Sequence, residues 1–137
     1  MNTATIVYQG ELRTQATHLF SGTQIITDAP LDNQGKAQAF SPTDLVATAL
    51  GSCMLTLMGI SARNHQWNIE GTQVKITKKM GSDPRRIIGI DVIITMPADE
   101  YDSKKKQILE NTARTCPVAK SIHPDIIQDV TFIYPEN

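Results

Sequence analysis

The sequence predicts an α+β fold in which an antiparallel sheet packs on a long, central, buried helix and a second, shorter helix. Three observations carry this. Short β-rich runs lie at both ends of the chain and on either side of a Gly-Ser-Asp-Pro turn at positions 81–84. From Leu45 to Ala62 almost every residue is apolar or small, a run too long for a strand. An amphipathic pattern from Asp102 to Thr115 follows the central strand pair, giving the order β-β-β-α-β-β-α-β.

Residues 3–28 read as a small antiparallel meander. Ile6-Val7-Tyr8 is β-rich, Gly10 marks a turn, Leu12 to Leu19 alternates, Ser21-Gly22 breaks the run, and Thr23 to Thr27 forms a third strand. Asp28 to Ala39, with Pro30, Asp32-Asn33 and Gly35, has loop composition. The long helix then opens with a strong local signal. Ser41 suits the N-cap, Pro42 the first helical position, and Asp44 stands three residues after the cap as in a capping box. Its apolarity predicts burial on most sides. A membrane span is the competing reading; Thr43, Thr48, Ser52, Thr56 and Ser61 dilute it, and a core helix packed against a partner subunit fits better.

Val74 and Ile76, then Ile88, Ile90, Val92, Ile94 and Met96, alternate at period two around Gly81-Ser82-Asp83-Pro84, the pattern of a long hairpin. In the second helix Ile108, Leu109, Thr112, Ala113 and Cys116 share one face. Pro117 cannot continue that ladder, so the chain restarts there, and Val130 to Tyr134 closes as a last strand. The chain is read as one domain, 1–137, with strands and loop over 1–40 and helix-hairpin-helix-strand over 41–137. At 137 residues it buries roughly two thirds of its unfolded surface.

A formal charge of −1 argues against a nucleic-acid binder, which needs a concentrated basic footprint. The clusters Lys104-Lys105-Lys106, Lys78-Lys79 and Arg85-Arg86 have no interleaved aromatics and read as solvated faces. The start Met1-Asn2-Thr3-Ala4 lacks a charged segment followed by an apolar one, and two cysteines are no disulfide scaffold. A cytosolic protein with reduced thiols, no membrane partner, no nucleic-acid partner and no cofactor is the expectation.

The chemistry offered is thiol chemistry. Cys53 falls on a helical stripe with Val46, Leu50, Leu57 and Ile60, and Cys116 on one with Leu109 and Ala113, so both face the core. The bland alternative is two small buried apolar residues. Reactivity needs a thiolate, and an ordinary thiol near pKa 8.5 is only a few per cent ionised at neutral pH. Cys53 lies too far along its helix for the dipole to help, so a cation is required: Arg63, Arg114, or Arg13 from an early strand. Cys116 can cap the segment that starts at Pro117, where free N–H groups favour an anion. From the residues alone, either thiol qualifies as the attacking one.

Ser41-Pro42-Thr43-Asp44-Leu45 leading through Leu50-Gly51-Ser52-Cys53, followed by Cys116-Pro117, resembles the OsmC/Ohr family, in its looser OsmC-like branch, over nearly the whole chain. The resemblance implies an intertwined homodimer with sites at the subunit interface. It also implies a thiol-dependent peroxidase, of stress-response type, that acts on organic hydroperoxides. It assigns Cys53 as the attacking thiol, Arg13 as its cation and Cys116 as the resolving thiol, with a dithiol or thioredoxin-like protein as reductant. Leu50, Met54, Leu57 and Met58 would then form apolar walls favouring alkyl peroxides. Peroxidases of the family carry a glutamate ten residues before the first cysteine, where it holds the arginine; here that position is Thr43, and Asp44 is shorter and displaced about 100° around the helix.

His18, His65 and His123 have no ligand spacing for a metal, and a Cys53–His18 dyad needs a chance meeting of strand and helix. A non-catalytic or weakly active dimer holding a small apolar ligand in its cleft is the main alternative to the peroxidase.

Overall fold

The computed structural model describes residues 2–135. It divides into two compact units, Met1–Val46 and Ala47–Asn137, with the boundary inside the long helix rather than at the loop before it.

The first unit is a three-stranded antiparallel meander: β1 (Ala4–Gly10), β2 (Arg13–His18) and β3 (Gln24–Asp28) in that order. Glu11 and Leu12, between β1 and β2, both have positive φ (56° and 63°). That is the backbone of a two-residue type I′ hairpin, whose twist matches the flanking strands. It fixes Arg13 as the first residue of β2, opposite Asp28 on β3, with Thr14 opposite Thr27 on the next rung. The loop after β3 folds back: Asp28 N–H donates to the Phe40 carbonyl and Ala37 N–H to that of Ala29. Gly35 is required there, since a Cβ would lie 1.7 Å from the Ala29 oxygen. Few side chains of this unit are buried, and Ile6, Val7, Tyr8, Phe20, Ile25 and Ile26 stand exposed.

α1 (Pro42–Asn64) opens with the expected capping box. Ser41 Oγ accepts from Asp44 N–H at 3.1 Å, and Asp44 Oδ2 accepts from Ser41 N–H at 3.0 Å. The helix is long and apolar enough to cross a membrane by length and composition. Its buried residues are Ala47, Leu50, Gly51, Met54, Met58 and Ala62. They follow the 3–4 spacing of one stripe, so burial is confined to that side, and Val46 and Ile60 remain exposed.

The second unit stacks this stripe on a mixed sheet, β4 (Gln73–Gly81), β5 (Arg86–Thr95) and β6 (Ile127–Ile133). β4 and β5 form the expected hairpin, but β6 runs parallel to β5, whereas an antiparallel sheet was expected. The reason is the crossover: parallel neighbours need a long connection, and α2 (Ser103–Arg114) with α3 (Pro117–Ser121) supplies it. Ile90, Val92, Ile94 and Met96 are buried in alternation, while Ile88 leaves the series beyond a register shift at Lys79/Met80. With Leu50, Met54, Met58, Leu109 and Ala113 they make the core. Each large side chain contributes about 1.5–3 kcal/mol by its burial. Lys105 of α2 is also buried. Its ammonium lies 3.3 Å from Asp99 Oδ2, 4.7 Å from the Tyr101 ring centre and 5.3 Å from that of Trp67, tying α2 to two loops.

Candidate active site

Asp102 caps α2 by accepting from Lys105 N–H at 2.8 Å, and the helix ends at Thr115 because Pro117 cannot extend it. The break leaves Cys116 extended (φ −65°, ψ 152°) as the N-cap of α3, with Pro117 in its first turn. Cys116 is thereby turned inward and wholly buried beside Leu109, Ala113 and Ala119.

Cys53 lies at the edge of the buried α1 stripe. The sequence placed it in line with Val46, Leu50, Leu57 and Ile60; the observed stripe keeps Leu50 but otherwise runs one position further on, through Ala47, Gly51, Met54 and Met58. Cys53 is therefore half-buried, packed on the core with one side open. That is the exposure a reacting thiol needs. Both cysteines are free thiols, and the Cys53 side chain lies near enough to act on the Cys116 thiol. Burial pushes the Cys116 thiol up; the Ala119 and Val118 amides oppose this, and the Cys53 side chain adds to it.

Three of the four expected pocket walls need correction. Leu50, Met54 and Met58 are fully buried, so they pack the core and offer no wall to a ligand, while Leu57 is half-buried. Two cavities flank α1. One, of about 610 Å³, is lined by Thr56, Ile60, Arg63, Trp67, Asn68 and Glu70 among others; the second, of about 230 Å³, lies between Thr48, Gly51, Ser52 and Leu55 and the β4 residues Val74 and Ile76. Neither is lined by a cysteine.

Arg13 belongs to the first unit. Its Nη2 donates to Gln38 Oε1 and lies 3.6 Å from Asp28 Oδ2. Asp28, unremarked in the sequence, is buried and also accepts from Gln38 N–H at 3.0 Å. That amide holds its carboxyl below the usual carboxylate range; burial opposes this, and Arg13 and the Ala29 and Lys36 amides add to it. Thr43 Oγ1 lies 3.2 Å from Ser41 Oγ, and Asp44 serves the capping box. Of the other cations considered, Arg114 pairs with Glu110 at 3.4 Å and lies over the Phe132 ring, while Arg63 lines the larger cavity. His18 Nδ1 contacts Ser21 Oγ at 2.6 Å, and among the described residues no three His, Cys, Asp or Glu side chains cluster as a metal site.

These features define a small α+β thiol protein with paired, reduced cysteines. Residues 35–130 match the family model described as OsmC-like protein, and the chain belongs to the OsmC-like family. It is similar to a candidate osmotic stress induced and detoxification response protein of Psychrobacter arcticus, with 57% identity, 96% of each chain covered and a TM-score of 0.93. An organic hydroperoxide resistance protein OsmC of Legionella pneumophila shares the fold at 12% identity, covering 97% of this chain and 98% of that one with a TM-score of 0.75. An organic hydroperoxide resistance protein of Elizabethkingia anophelis does so at 12% identity, 98% coverage of each and a TM-score of 0.76. No curated protein matches the chain.

Proposed function

We propose that the protein is a cytosolic, cysteine-based peroxidase that reduces organic hydroperoxides within a redox or stress response. The observation that carries this is that the two free thiols are near enough to act on each other, the outer one half-open and the inner one enclosed. The names of the similar proteins, which speak of osmotic stress and of hydroperoxide resistance, support it. The Cys53 thiolate attacks one peroxide oxygen, the O–O bond breaks, and the alkoxide leaves to take up a proton as the alcohol. Cys53 is then a sulfenic acid. Cys116 displaces water from it, forming the S–S bond, and a dithiol or thioredoxin-like protein returns two electrons and two protons. Burial of Cys116 keeps it protonated until that step.

Arg13 takes the part of the cation, since a positive charge beside a thiol favours its ionised form by about one to three pKa units. A homodimer supplies the rest of the substrate site. The exposed apolar side chains of the first unit (Ile6, Val7, Tyr8, Phe20, Ile25, Ile26) support association with a second copy. The competing reading, a dimer that holds an apolar ligand without turnover, is favoured by Thr43 at the family's glutamate position.

The test is stopped-flow reaction of the reduced protein with cumene hydroperoxide and with hydrogen peroxide, followed by thiol counting. Rapid consumption of the organic peroxide with loss of both thiols, abolished in Cys53→Ala, is expected. Rates no better than free cysteine reject the peroxidase and favour the binder.

A further inference from the structure

We propose that Asp28 is the positioning residue for Arg13, holding its guanidinium through a closed triangle with Gln38 and so replacing the helix acid absent at Thr43. The inference rests on the reading that Arg13 serves Cys53.

The triangle is built from register. Counting outward from the turn around Gly22, β2 and β3 bring Arg13 and Asp28 onto one rung. Asp28 Oδ2 faces Arg13 Nη2 at 3.6 Å and accepts from Gln38 N–H at 3.0 Å, while the Gln38 side chain accepts from the same Nη2. The guanidinium is thus held at one nitrogen from two directions. The strained hairpin at Glu11 and Leu12 fixes where β2 begins, and Gly35 lets the loop carrying Gln38 close on Ala29.

Asp28 is 1% exposed, and its Oδ1 has no hydrogen-bond partner. Burying a carboxylate with one oxygen unpaired is costly. To fasten the loop alone, a neutral acceptor at position 28 would still take the Gln38 N–H, though without the strength that charge adds to such a bond. The charge is of use to the guanidinium, which it meets from the end of β3. The helix carboxylate nearest the missing position, that of Asp44, accepts from Ser41 N–H in the capping box.

The test compares wild type, Asp28→Asn, Arg13→Gln and the double variant. The readouts are the cumene hydroperoxide rate, the pH profile of Cys53 alkylation by iodoacetamide, and thermal melting. Asp28→Asn keeps the acceptor for Gln38 N–H and removes the charge. A positioning role predicts a rate lower by about tenfold and an alkylation profile moved to higher pH by about one unit, with no further loss in the double variant. If Asp28 is only a counter-charge, its removal moves the profile to lower pH. That sign, an unchanged rate, or additive losses overturns the proposal. Should Asp28→Asn fail to fold, Gln38→Ala removes the second anchor, and an unchanged rate and profile there overturn it as well. If wild type lacks peroxidase activity while Asp28→Asn and Arg13→Gln move the profile alike, the peroxidase reading falls and the positioning role stands. An active wild type with an indifferent Asp28→Asn gives the reverse.

Discussion

Oxidation of the reduced protein by one equivalent of organic hydroperoxide should make it markedly more stable. Cys53 and Cys116 lie 63 positions apart in sequence, yet their side chains are near enough to act on each other in the reduced fold. Joining them therefore removes a large share of the unfolded chain's freedom and demands little rearrangement of the folded one. Chain-entropy arguments give about 4 kcal/mol for a loop of this size. At about 3–4 °C per kcal/mol for a chain of this length, the melting temperature should rise by roughly 12–16 °C. The assay is calorimetry on reduced and oxidised protein at equal concentration, with mass spectrometry confirming the loss of two hydrogens. Cys116→Ala, which cannot form the bond, is the control and should show no rise. An oxidised form that melts at or below the reduced one would refute the reasoning. It would mean that bond formation strains the break at Pro117 by as much as loop closure gains.

Replacing Cys116 by serine should leave one turnover intact, with one equivalent of alcohol released and a sulfenic acid at Cys53 that a dimedone-type probe captures, and should stop further cycles. Stability should fall on the alkaline side: burial raises Cys116, Tyr101 and Tyr134 in the fold, so each stabilises while protonated and loses that contribution as pH exceeds its unfolded value. Urea midpoints should thus hold to about pH 8.5 and decline beyond it, more steeply near about pH 10, with Cys116→Ala removing the first phase. Met54→Ala, emptying a fully buried site, should cost about 2–5 kcal/mol by denaturant unfolding. Lys105→Met keeps the buried stem but loses the ammonium over Tyr101 and Trp67, and should cost about 1–3 kcal/mol in the same measurement.

Features set by neighbours in sequence were legible without a structure. The Ser41–Asp44 box, the hairpin around positions 81–84, the Asp102 start of α2 and the break at Pro117 each follow from a residue type at a fixed offset. What escaped depends on neighbours in space. The stripe through Cys53 was misplaced by one residue because α1 is apolar nearly all round, so periodicity could not say which side meets the sheet. The direction of β6 is not written in its alternation; only the helical crossover determines it. For the same reason Leu50, Met54 and Met58 were taken for pocket walls when they are core. Asp28 reads as the first residue of a loop. Counting strand positions outward from Ser21-Gly22 is the signal that pairs it with Arg13.

Gly51 limits how this chain can be altered. A methyl group there would meet Ile76 Cδ1 at 3.0 Å and Val74 Cγ1 at 3.1 Å, so α1 rests against β4 at the distance that a hydrogen allows. An alanine requires Ile76 to yield by a few tenths of an ångström, and any larger side chain must lever the helix off the strand. Since Cys53 follows two residues later, the lever would shift the outer thiol relative to the inner one. Screens that randomise position 51 should therefore return glycine, with alanine as the occasional survivor, even when selected for foldedness alone. Selection for peroxide resistance should narrow the survivors further.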